Sequence, residues 1–199
     1  MKIIECAQYS PEWWQARIGV PTASSFDKIV DSTGKPSKSR KNYLYQLAGE
    51  LVAGKAEETY QNAAMLRGKE LEAEARSFYE LTNNVTVEQV GFCVTEGKTV
   101  YGCSPDSLVG EDGGLEIKCP LVHTHVGYLL DGSFPSAYFQ QVQGNLLVTG
   151  RKWWDFISYY AALKPLVIRV LPDRKFQEIL KAELENFCDE LAEVVDKIK

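Results

Sequence analysis

A short acidic hairpin between Asp106 and Lys118 constrains the fold of this chain more than any other stretch. Two adjacent glycines follow an acidic pair, and apolar runs flank this turn signal on both sides. Because the two arms are of similar length, folding at the turn places Asp106 beside Glu116 and Lys118. Side chains alternate faces along a strand, so Glu116 and Lys118 point to one side of the sheet. Leu115 and Ile117 point to the other side, into a core.

Two carboxylates and an ammonium group on one side of a sheet have a chemical use. Carboxylate oxygens suit a hard divalent cation such as Mg²⁺. A bound cation polarises a phosphodiester, lowers the pKa of a bound water and stabilises the leaving oxygen. Lys118, two residues from Glu116, can position or activate that water or neutralise developing charge. An ordinary surface hairpin with one salt bridge would present the same residues, so the rest of the chain has to decide.

Length and composition favour one domain spanning residues 1–199. This length can bury a sizeable core, and no apolar run approaches the roughly 20 residues of a membrane span. Five cysteines without a CxxC motif, and a start without a secretory signal, predict a cytoplasmic protein that does not bind membranes. The formal charge of −5 argues mildly against nucleic-acid binding. Metal-binding carboxylates and an acidic C-terminal helix would add to the acidic count without opposing DNA.

A second candidate site lies near the start of the chain. Ser10-Pro11 predicts the beginning of a helix that ends near Gly19, and Thr22 or Ser24 can cap the helix that follows. Arg17 close to a hydroxyl-rich helix start is a good cradle for a phosphate. In the alternative interpretation the hydroxyls only cap and Arg17 only packs on a tryptophan. The residues alone leave both interpretations open.

Helical periodicity over residues 62–81 predicts a helix with one buried stripe. The stripe consists of Leu71, Ala75, Phe78 and Leu81. Glu70, Glu72 and Glu74 compete as a third carboxylate for the hairpin, although most helix glutamates are solvated. Strands are predicted at residues 85–88, 91–94 and 100–103, in one sheet with the hairpin, and at 153–161 and 166–170. Other helices are predicted at residues 43–52, 123–130 and 136–150, and after Asp173.

Two weaker features have ordinary alternatives. His123 and His125 have a spacing that can bind a metal from a strand, but their segment is predicted helical, where the two side chains point apart. We interpret them as ordinary helix residues. The basic loop from Lys35 to Lys41 can contact a nucleic-acid backbone, although such runs are more often solvated connections.

Five motifs occur in an order that resembles one protein family. The motifs are Trp14-x-x-Arg17-x-Gly19-x-x-Thr22-Ala23-Ser24, Gly68-Lys69-x-x-Glu72, Cys103-Ser104-Pro105-Asp106-x-Leu108, Gly114-Leu115-Glu116-x-Lys118-Cys119-Pro120 and Gln141-Val142-Gln143. Together they resemble the phage lambda-type exonucleases, the YqaJ-like viral recombinase family of PD-(D/E)xK nucleases, over nearly the whole chain. The resemblance implies an α/β restriction-endonuclease-like core, with a central mixed sheet flanked by helices.

The resemblance also implies roles for single residues at the catalytic site. Asp106, Glu116 and the backbone carbonyl of Ile117 would bind Mg²⁺, or Mn²⁺ as a substitute, and Lys118 would serve the nucleophilic water. Glu72, among the three helix glutamates, would be the further carboxylate and metal ligand. Gln141 would be a supporting residue of the catalytic site.

The same resemblance implies contacts with DNA and with partners. Arg17, Ser24 and Thr22 would form a pocket for the terminal 5′-phosphate, and Met65 would be an apolar wedge that parts the strands at the DNA end. The family arginine after the Cys-Pro element is missing, since residues 123–125 read His-Thr-His. The basic loop from Lys35 to Lys41 is a candidate replacement. A homotrimeric ring around DNA and a phage-type single-strand annealing protein would be the protein partners.

The function implied by the resemblance is Mg²⁺-dependent 5′-to-3′ exonuclease activity on linear double-stranded DNA. The enzyme would release mononucleotides and leave a 3′ single-stranded overhang for annealing-type homologous recombination. Two alternatives use the same core: a structure-specific or restriction-type endonuclease, and a catalytically inactive DNA-binding module. Intact Asp106, Glu116 and Lys118 argue against the inactive module.

Overall fold

The computed structural model describes residues 1–56 and 63–199, except for the side chains of residues 63–66 and 69. In this part of the chain the helices are α1 (Pro11–Arg17), α2 (Arg40–Ala53), α3 (Ala63–Asn83), α4 (Val122–Asp131), α5 (Phe139–Thr149) and α6 (Arg174–Ile198). The strands are β1 (Lys2–Ile4), β2 (Val87–Glu88), β3 (Phe92–Val94), β4 (Gly102–Cys103), β5 (Ser107–Val109), β6 (Gly113–Lys118), β7 (Trp153–Ser158) and β8 (Leu166–Val170). Short 3₁₀ helices cover Ala23–Lys28 and Ser136–Tyr138.

The central sheet has five strands in the order β2-β5-β6-β7-β8 and is mixed. Only β6 and β7 run parallel, whereas every other neighbouring pair is antiparallel. Parallel neighbours need a long crossover, and here the crossover contains α4 and α5. The predicted class, a mixed sheet flanked by helices, is therefore confirmed.

A second, three-stranded antiparallel sheet has the order β1-β3-β4. The prediction that the three strands before the hairpin share one sheet with it is correct for β2, which pairs with β5, and wrong for the other two. Strand β3 pairs with the N-terminal strand β1, and β4 pairs with β3. Pro105 lies between β4 and β5 and has no backbone N–H to continue a ladder. The chain therefore leaves one sheet at Cys103 and enters the other at Ser107.

The glycines of the hairpin play a different part from the one predicted. The turn consists of residues 110–112, with Gly110 at a φ of +53°, while Gly113 and Gly114 belong to β6. The rings of Trp153 and Trp154 on β7 cover both glycines. A Cβ atom at Gly113 would lie 2.1 Å from the Trp153 ring, and one at Gly114 would lie 2.3 Å from the Trp154 ring. These two glycines therefore allow close ring packing rather than a tight turn.

Apolar side chains pack on both faces of the central sheet. On one face α3 contributes Ala75 and Tyr79, which pack with Leu115 and Ile117 of β6. On the other face a larger cluster includes Trp154 together with residues of α2, α5 and α6. The predicted alternation along β6 is thus confirmed, since the odd-numbered residues face α3. Glu116 and Lys118 take the opposite direction.

Leu81 does not belong to the buried stripe of α3, contrary to the prediction. Its side chain is 84% exposed, whereas Tyr79 is 1% exposed. Because Ala75 and Tyr79 are four residues apart, they lie on one face of the helix. The core-facing stripe therefore ends at Tyr79, and Leu81 projects from the far side.

The C-terminal helix α6 is amphipathic, as predicted. The Asp173 side chain caps it by accepting a hydrogen bond from the Phe176 amide at 3.0 Å. Phe176, Leu180 and Leu184 begin a buried stripe that continues to Val195. Across the described residues, the helices are too short or too polar to cross a bilayer.

Candidate active site

The hairpin brings Asp106 to the strand that carries Glu116 and Lys118. Ser107 pairs with Leu115, so Asp106 is the next residue out and lies opposite Glu116. The Asp106 Oδ2 atom accepts a hydrogen bond from the Ile117 amide at 2.5 Å. The predicted return of the first arm onto the second is therefore confirmed. The Ile117 peptide also lies at the site, as the sequence analysis expects.

Glu116 is the most enclosed group of the site, with a side chain that is 1% exposed. Its Oε1 atom accepts from Lys118 Nζ at 2.5 Å and from Gln141 Nε2 at 2.6 Å. Its Oε2 atom accepts from Asn145 Nδ2 at 3.1 Å. Gln141 and Asn145 are four residues apart on α5, so both amides point from one helix face. The sequence motifs predict a role for Gln141, whereas no sequence signal points to Asn145.

The close approach of α5 depends on Gly144. A Cβ atom at this position would lie 2.5 Å from the Phe26 ring and 3.0 Å from the Ala23 Cβ atom. The helix can therefore pack tightly on the 3₁₀ helix Ala23–Lys28. This packing determines how closely the side chains of Gln141 and Asn145 approach the Glu116 carboxylate.

The third carboxylate of the region is Glu72 on α3. Its side chain pairs with Arg76 one turn further along the helix. Arg76 also donates to Ser107 Oγ at 2.9 Å and to the Asp106 carbonyl at 3.3 Å. Glu70 is exposed, and Glu74 instead accepts from Tyr159 at 2.6 Å. Arg76, which the sequence analysis missed, thus connects Glu72 to the segment that carries Asp106.

Electrostatics at the site oppose two neighbouring carboxylates and favour a cation. Burial raises the pKa of Asp106 well above its ordinary value, and the Glu116 carboxylate raises it further. Burial disfavours the Lys118 ammonium, but the Glu116 and Asp106 carboxylates outweigh this and hold the Lys118 pKa above its ordinary value. Lys118 therefore stays positively charged at neutral and alkaline pH. Asp106 would ionise more readily if a divalent cation lay beside it.

The donor atoms fit a hard divalent cation, although they are not pre-assembled around one. Among the described residues, no three histidine, cysteine, aspartate or glutamate side chains converge in a ready metal cluster. Arg76 engages Glu72, and Lys118 engages Glu116, so the positive side chains compensate the carboxylates. Oxygen ligands are those that Mg²⁺ prefers. Burial and the neighbouring Glu116 carboxylate both raise the pKa of Asp106, so a cation beside Asp106 would favour its ionised form.

Arg17 connects the start of the chain to the hairpin segment. Its Nη1 atom donates to Ser104 Oγ at 2.9 Å, and its Nη2 atom donates to Thr22 Oγ1 at 3.4 Å. The guanidinium also lies over the Trp13 ring, 4.1 Å from its centroid. Burial lowers the pKa of Arg17 from its ordinary value. Arg17 therefore packs on a tryptophan and also presents donors beside hydroxyl groups, and the phosphate cradle stays a prediction.

A pocket of about 130 Å³ opens beside the Arg17 guanidinium. Its lining includes Trp14, Thr22, Ser25, Lys28, Tyr43, Gln46 and Glu50. Ser24 is exposed, and its hydroxyl lies 3.4 Å from that of Thr22. The segment after Thr22 is a six-residue 3₁₀ helix, and the Thr22 hydroxyl does not cap it. Ser25 and Lys28 therefore join the pocket without having been singled out from the sequence.

The two histidines, the basic loop and Met65 are the remaining residues with predicted roles. His125 is buried and bonds to Ser158 Oγ at 2.7 Å and to the Lys164 carbonyl at 3.1 Å, whereas His123 is exposed. The two histidines therefore point apart, as predicted. In the basic loop, Arg40 begins α2 and forms ion pairs with two glutamates of α6. The side chain of Met65 lies outside the described residues.

Replacing Asn145 with leucine should destabilise the protein. The substitution leaves the buried Glu116 Oε2 atom without its amide donor, which typically costs about 1–3 kcal/mol. Urea unfolding monitored by tryptophan fluorescence would measure the loss. In a Glu116→Met background the same substitution should cost clearly less, because the carboxylate is gone. Equal costs in both backgrounds would show that Asn145 acts through packing alone.

Several solved structures with a similar architecture are described as exonucleases. The alkaline exonuclease LHK-Exo from Laribacter hongkongensis is 33% identical, with a TM-score of 0.87 over 95% of this chain and 96% of that chain. LHK-Exo in complex with dAMP is 34% identical, with a TM-score of 0.87 over 96% of each chain. A phage-related exonuclease from Haemophilus somnus 129PT, 14% identical with a TM-score of 0.68 over 90% of this chain and 96% of that chain, shares the fold. By class, the chain is a nuclease.

The family follows from the sequence match. The model of the YqaJ-like viral recombinase domain matches residues 12–152, a range that contains both the Arg17 cluster and the carboxylate site. The chain therefore belongs to the YqaJ-like viral recombinase family, and the resemblance inferred from the five motifs is confirmed. No curated protein matches the chain.

Proposed function

We propose that this protein is a divalent-cation-dependent 5′-to-3′ exonuclease on linear double-stranded DNA. It would release mononucleotides and leave a 3′ single-stranded overhang for annealing-type homologous recombination. The observation that carries the proposal is the short distance along the backbone between the residue that binds Arg17 and the first carboxylate of the site. Ser104 accepts from Arg17, and Asp106 follows two residues later.

The spacing of these two sites suits removal of one nucleotide at a time. Two residues span at most about 7 Å between Cα atoms, which is comparable with the spacing of successive phosphates along a strand. A terminal 5′-phosphate held near Arg17 would therefore place the next phosphodiester near Asp106. The dAMP in the LHK-Exo structure is a nucleotide of the class that such a reaction releases.

Four groups would hold the cation: the carboxylates of Asp106, Glu116 and Glu72, and the backbone carbonyl of Ile117. Bound Mg²⁺ would supply Lewis acidity toward the phosphodiester and toward water. Lys118 would remain an ammonium, because its raised pKa opposes a role as a base. It would orient the attacking water and compensate negative charge that develops on the phosphate. Gln141 and Asn145 would hold the Glu116 carboxylate in place.

One assay tests the activity and separates its alternatives. Linear and covalently closed circular duplexes would be incubated with Mg²⁺, with Mn²⁺ and with EDTA. We expect degradation of the linear form alone, in either metal and not in EDTA, with 5′-mononucleotides as products. Loss of a 5′-terminal label before a 3′-terminal label would establish polarity. Cleavage of the circle would indicate an endonuclease, and no cleavage in any metal would indicate a DNA-binding module.

Arg17→Gln should abolish a preference for phosphorylated 5′ ends. Charge-assisted contacts are about twice as strong as neutral ones, so the wild type should degrade 5′-phosphorylated duplex faster than 5′-hydroxyl duplex. The variant should lose roughly tenfold or more on the phosphorylated substrate and far less on the other. Initial rates on the two substrates measure the ratio.

Glu50→Gln tests the same pocket with a change of charge in the opposite direction, and Lys98→Gln is the control. Glu50 lines the same pocket and opposes an anion there, so removing its charge should increase the preference for the phosphorylated end. Lys98→Gln removes a positive charge from a side chain that is 91% exposed, and it should leave the ratio unchanged. Equal slowing of Arg17→Gln on both substrates would contradict the assignment of the pocket.

The proposed partners follow from the family and the charge. A homotrimeric ring would let a chain of net charge −5 enclose DNA, with basic groups in the channel and α6 outside. Light scattering should then give about three times the 22.3 kDa chain mass. A stable monomer that digests long DNA processively would exclude the ring. A phage-type single-strand annealing protein would receive the 3′ overhang in the cytoplasm.

A further inference from the structure

The backbone at Tyr9 adopts a conformation that tyrosine rarely takes. Two non-glycine residues have a positive φ in the part of the chain that the structure describes, Tyr9 at +69° and Asn84 at +51°. Asparagine visits this left-handed region readily, whereas a bulky side chain does so at an energetic cost. Such residues persist where surrounding contacts hold them, and they concentrate at functional sites.

Contacts on both sides hold the backbone of Tyr9 in place. Gln8 Nε2 donates to the Val90 carbonyl at 3.0 Å and to the Pro105 carbonyl at 2.7 Å. The Ser10 amide donates to the Ala7 carbonyl at 3.1 Å, and Ser10 then caps α1. The second contact of Gln8 ends one residue before Asp106. Gln8, the residue before the strained tyrosine, therefore ties this part of the backbone to the segment that carries Asp106.

The Tyr9 side chain packs beside Trp13, and the charges of both sites act on it. Its ring centroid is 5.1 Å from that of Trp13, the ring on which Arg17 packs. Burial raises the pKa of the Tyr9 phenol, and the Glu72 and Asp106 carboxylates add to that rise, while Lys118 and Arg17 act against it. One side chain thus feels the charges of both sites. Nearly half of it, 47%, is still exposed.

We propose that Tyr9 is a substrate-contacting residue whose ring stacks on the 5′-terminal deoxynucleotide. This inference rests on the proposed exonuclease function, which places that nucleotide between Arg17 and Asp106. Aromatic rings stack on bases without sequence preference, because every base has a π-face. The contact would orient the terminal nucleotide and leave the choice of base open. A functional need for this stacking contact would explain why a strained tyrosine occupies a position whose positive φ suits glycine better.

A fluorescent base at the 5′ terminus tests this contact apart from cleavage. The probe is a 5′-phosphorylated duplex with 2-aminopurine as its first base, mixed with the protein in Ca²⁺ to hold the DNA uncleaved. Wild type and Tyr9→Phe should quench the fluorescence, since both present a ring. Tyr9→Gly should lose that quenching and, in Mg²⁺, remove the first nucleotide about tenfold more slowly.

Two further variants keep the test decisive. Tyr9→Asn also tolerates a positive φ but lacks the ring, so it should reproduce the loss of quenching even if the glycine variant folds poorly. Tyr45→Ala removes a 53% exposed tyrosine on α2 and should change neither quenching nor rate. If the wild type releases mononucleotides and both ring-free variants match it, the role of Tyr9 is wrong. If the wild type itself releases none from linear DNA, the proposed function fails instead.

Discussion

Asp106→Asn is expected to abolish DNA cleavage and to make the metal-free protein more stable. Losing one ligand removes several kcal/mol of charge stabilisation in the transition state, which corresponds to a rate loss of about 10³-fold or more. The amide oxygen can still accept from the Ile117 amide, so the hairpin should keep its geometry. Stability should rise because the buried charge beside Glu116 is gone. Each kcal/mol gained would raise the melting temperature by roughly 2–4 °C.

The gain in stability should depend on pH in a defined direction. The folded protein raises the Asp106 pKa above its unfolded value of about 3.9. Below the unfolded pKa the stability that this carboxyl group contributes is fully present. This contribution is lost as the pH rises through the raised pKa of the folded protein. In EDTA, Asp106→Asn should gain over the wild type across that window. Added Mg²⁺ should stabilise the wild type and reverse the order.

Asp112→Asn is the matched control. Asp112 lies in the turn of the same hairpin, is half exposed and pairs with Lys152 at 2.9 Å. Exposed pairs of this kind contribute about 0–1 kcal/mol, so the control should cleave normally and unfold nearly as the wild type does. Cleavage by Asp106→Asn at a rate close to that of the wild type would exclude Asp106 as a ligand. Unchanged stability in EDTA would contradict the raised pKa.

The catalytic hairpin could be predicted because its geometry is local. Strand alternation and the length of the two arms place Asp106, Glu116 and Lys118 together without any knowledge of the rest of the fold. The predicted turn extends too far, into Gly113 and Gly114, because adjacent glycines are a turn signal in most contexts. Here the rings of Trp153 and Trp154 pack closely on both glycines, so Gly113 and Gly114 belong to strand β6 and not to the turn. Those tryptophans lie about 40 residues further along the chain, beyond the reach of local reasoning.

The residues that were missed act through contacts that sequence spacing does not encode. Asn145 meets Glu116 only because α5 returns over the sheet after a crossover. Ser104 receives donors from both Arg17 and Trp13, so it joins two sites that are far apart in the sequence. Arg76 had a local signal, since it lies one turn after Glu72. That signal predicts a helix ion pair and does not predict the contacts of Arg76 with the hairpin.

Lys118→Met is expected to abolish cleavage while leaving metal binding intact. Methionine replaces the long side chain with an apolar one of similar shape, so it removes the ammonium that donates to Glu116 at 2.5 Å. We expect a loss of about 10²–10³-fold in rate, the typical effect of deleting one preorganised electrostatic group. Gln141 and Asn145 still hold Glu116, so the carboxylates should remain in position. Mg²⁺ should bind at least as tightly, because a competing positive charge has gone.

Two measurements together separate this role from the alternatives. Calorimetric titration with Mg²⁺ reports the affinity, and single-turnover degradation of linear duplex reports the rate. In the metal-free protein the Glu116 and Asp106 carboxylates hold the Lys118 pKa above its ordinary value, so Lys118 is protonated when Mg²⁺ is added at neutral pH. Lys152→Met, at a side chain that is 73% exposed, is the control and should match the wild type in both measurements. A Lys118→Met protein that loses Mg²⁺ together with activity would make Lys118 a positioning residue for Glu116, whereas one that cleaves normally would remove Lys118 from the mechanism.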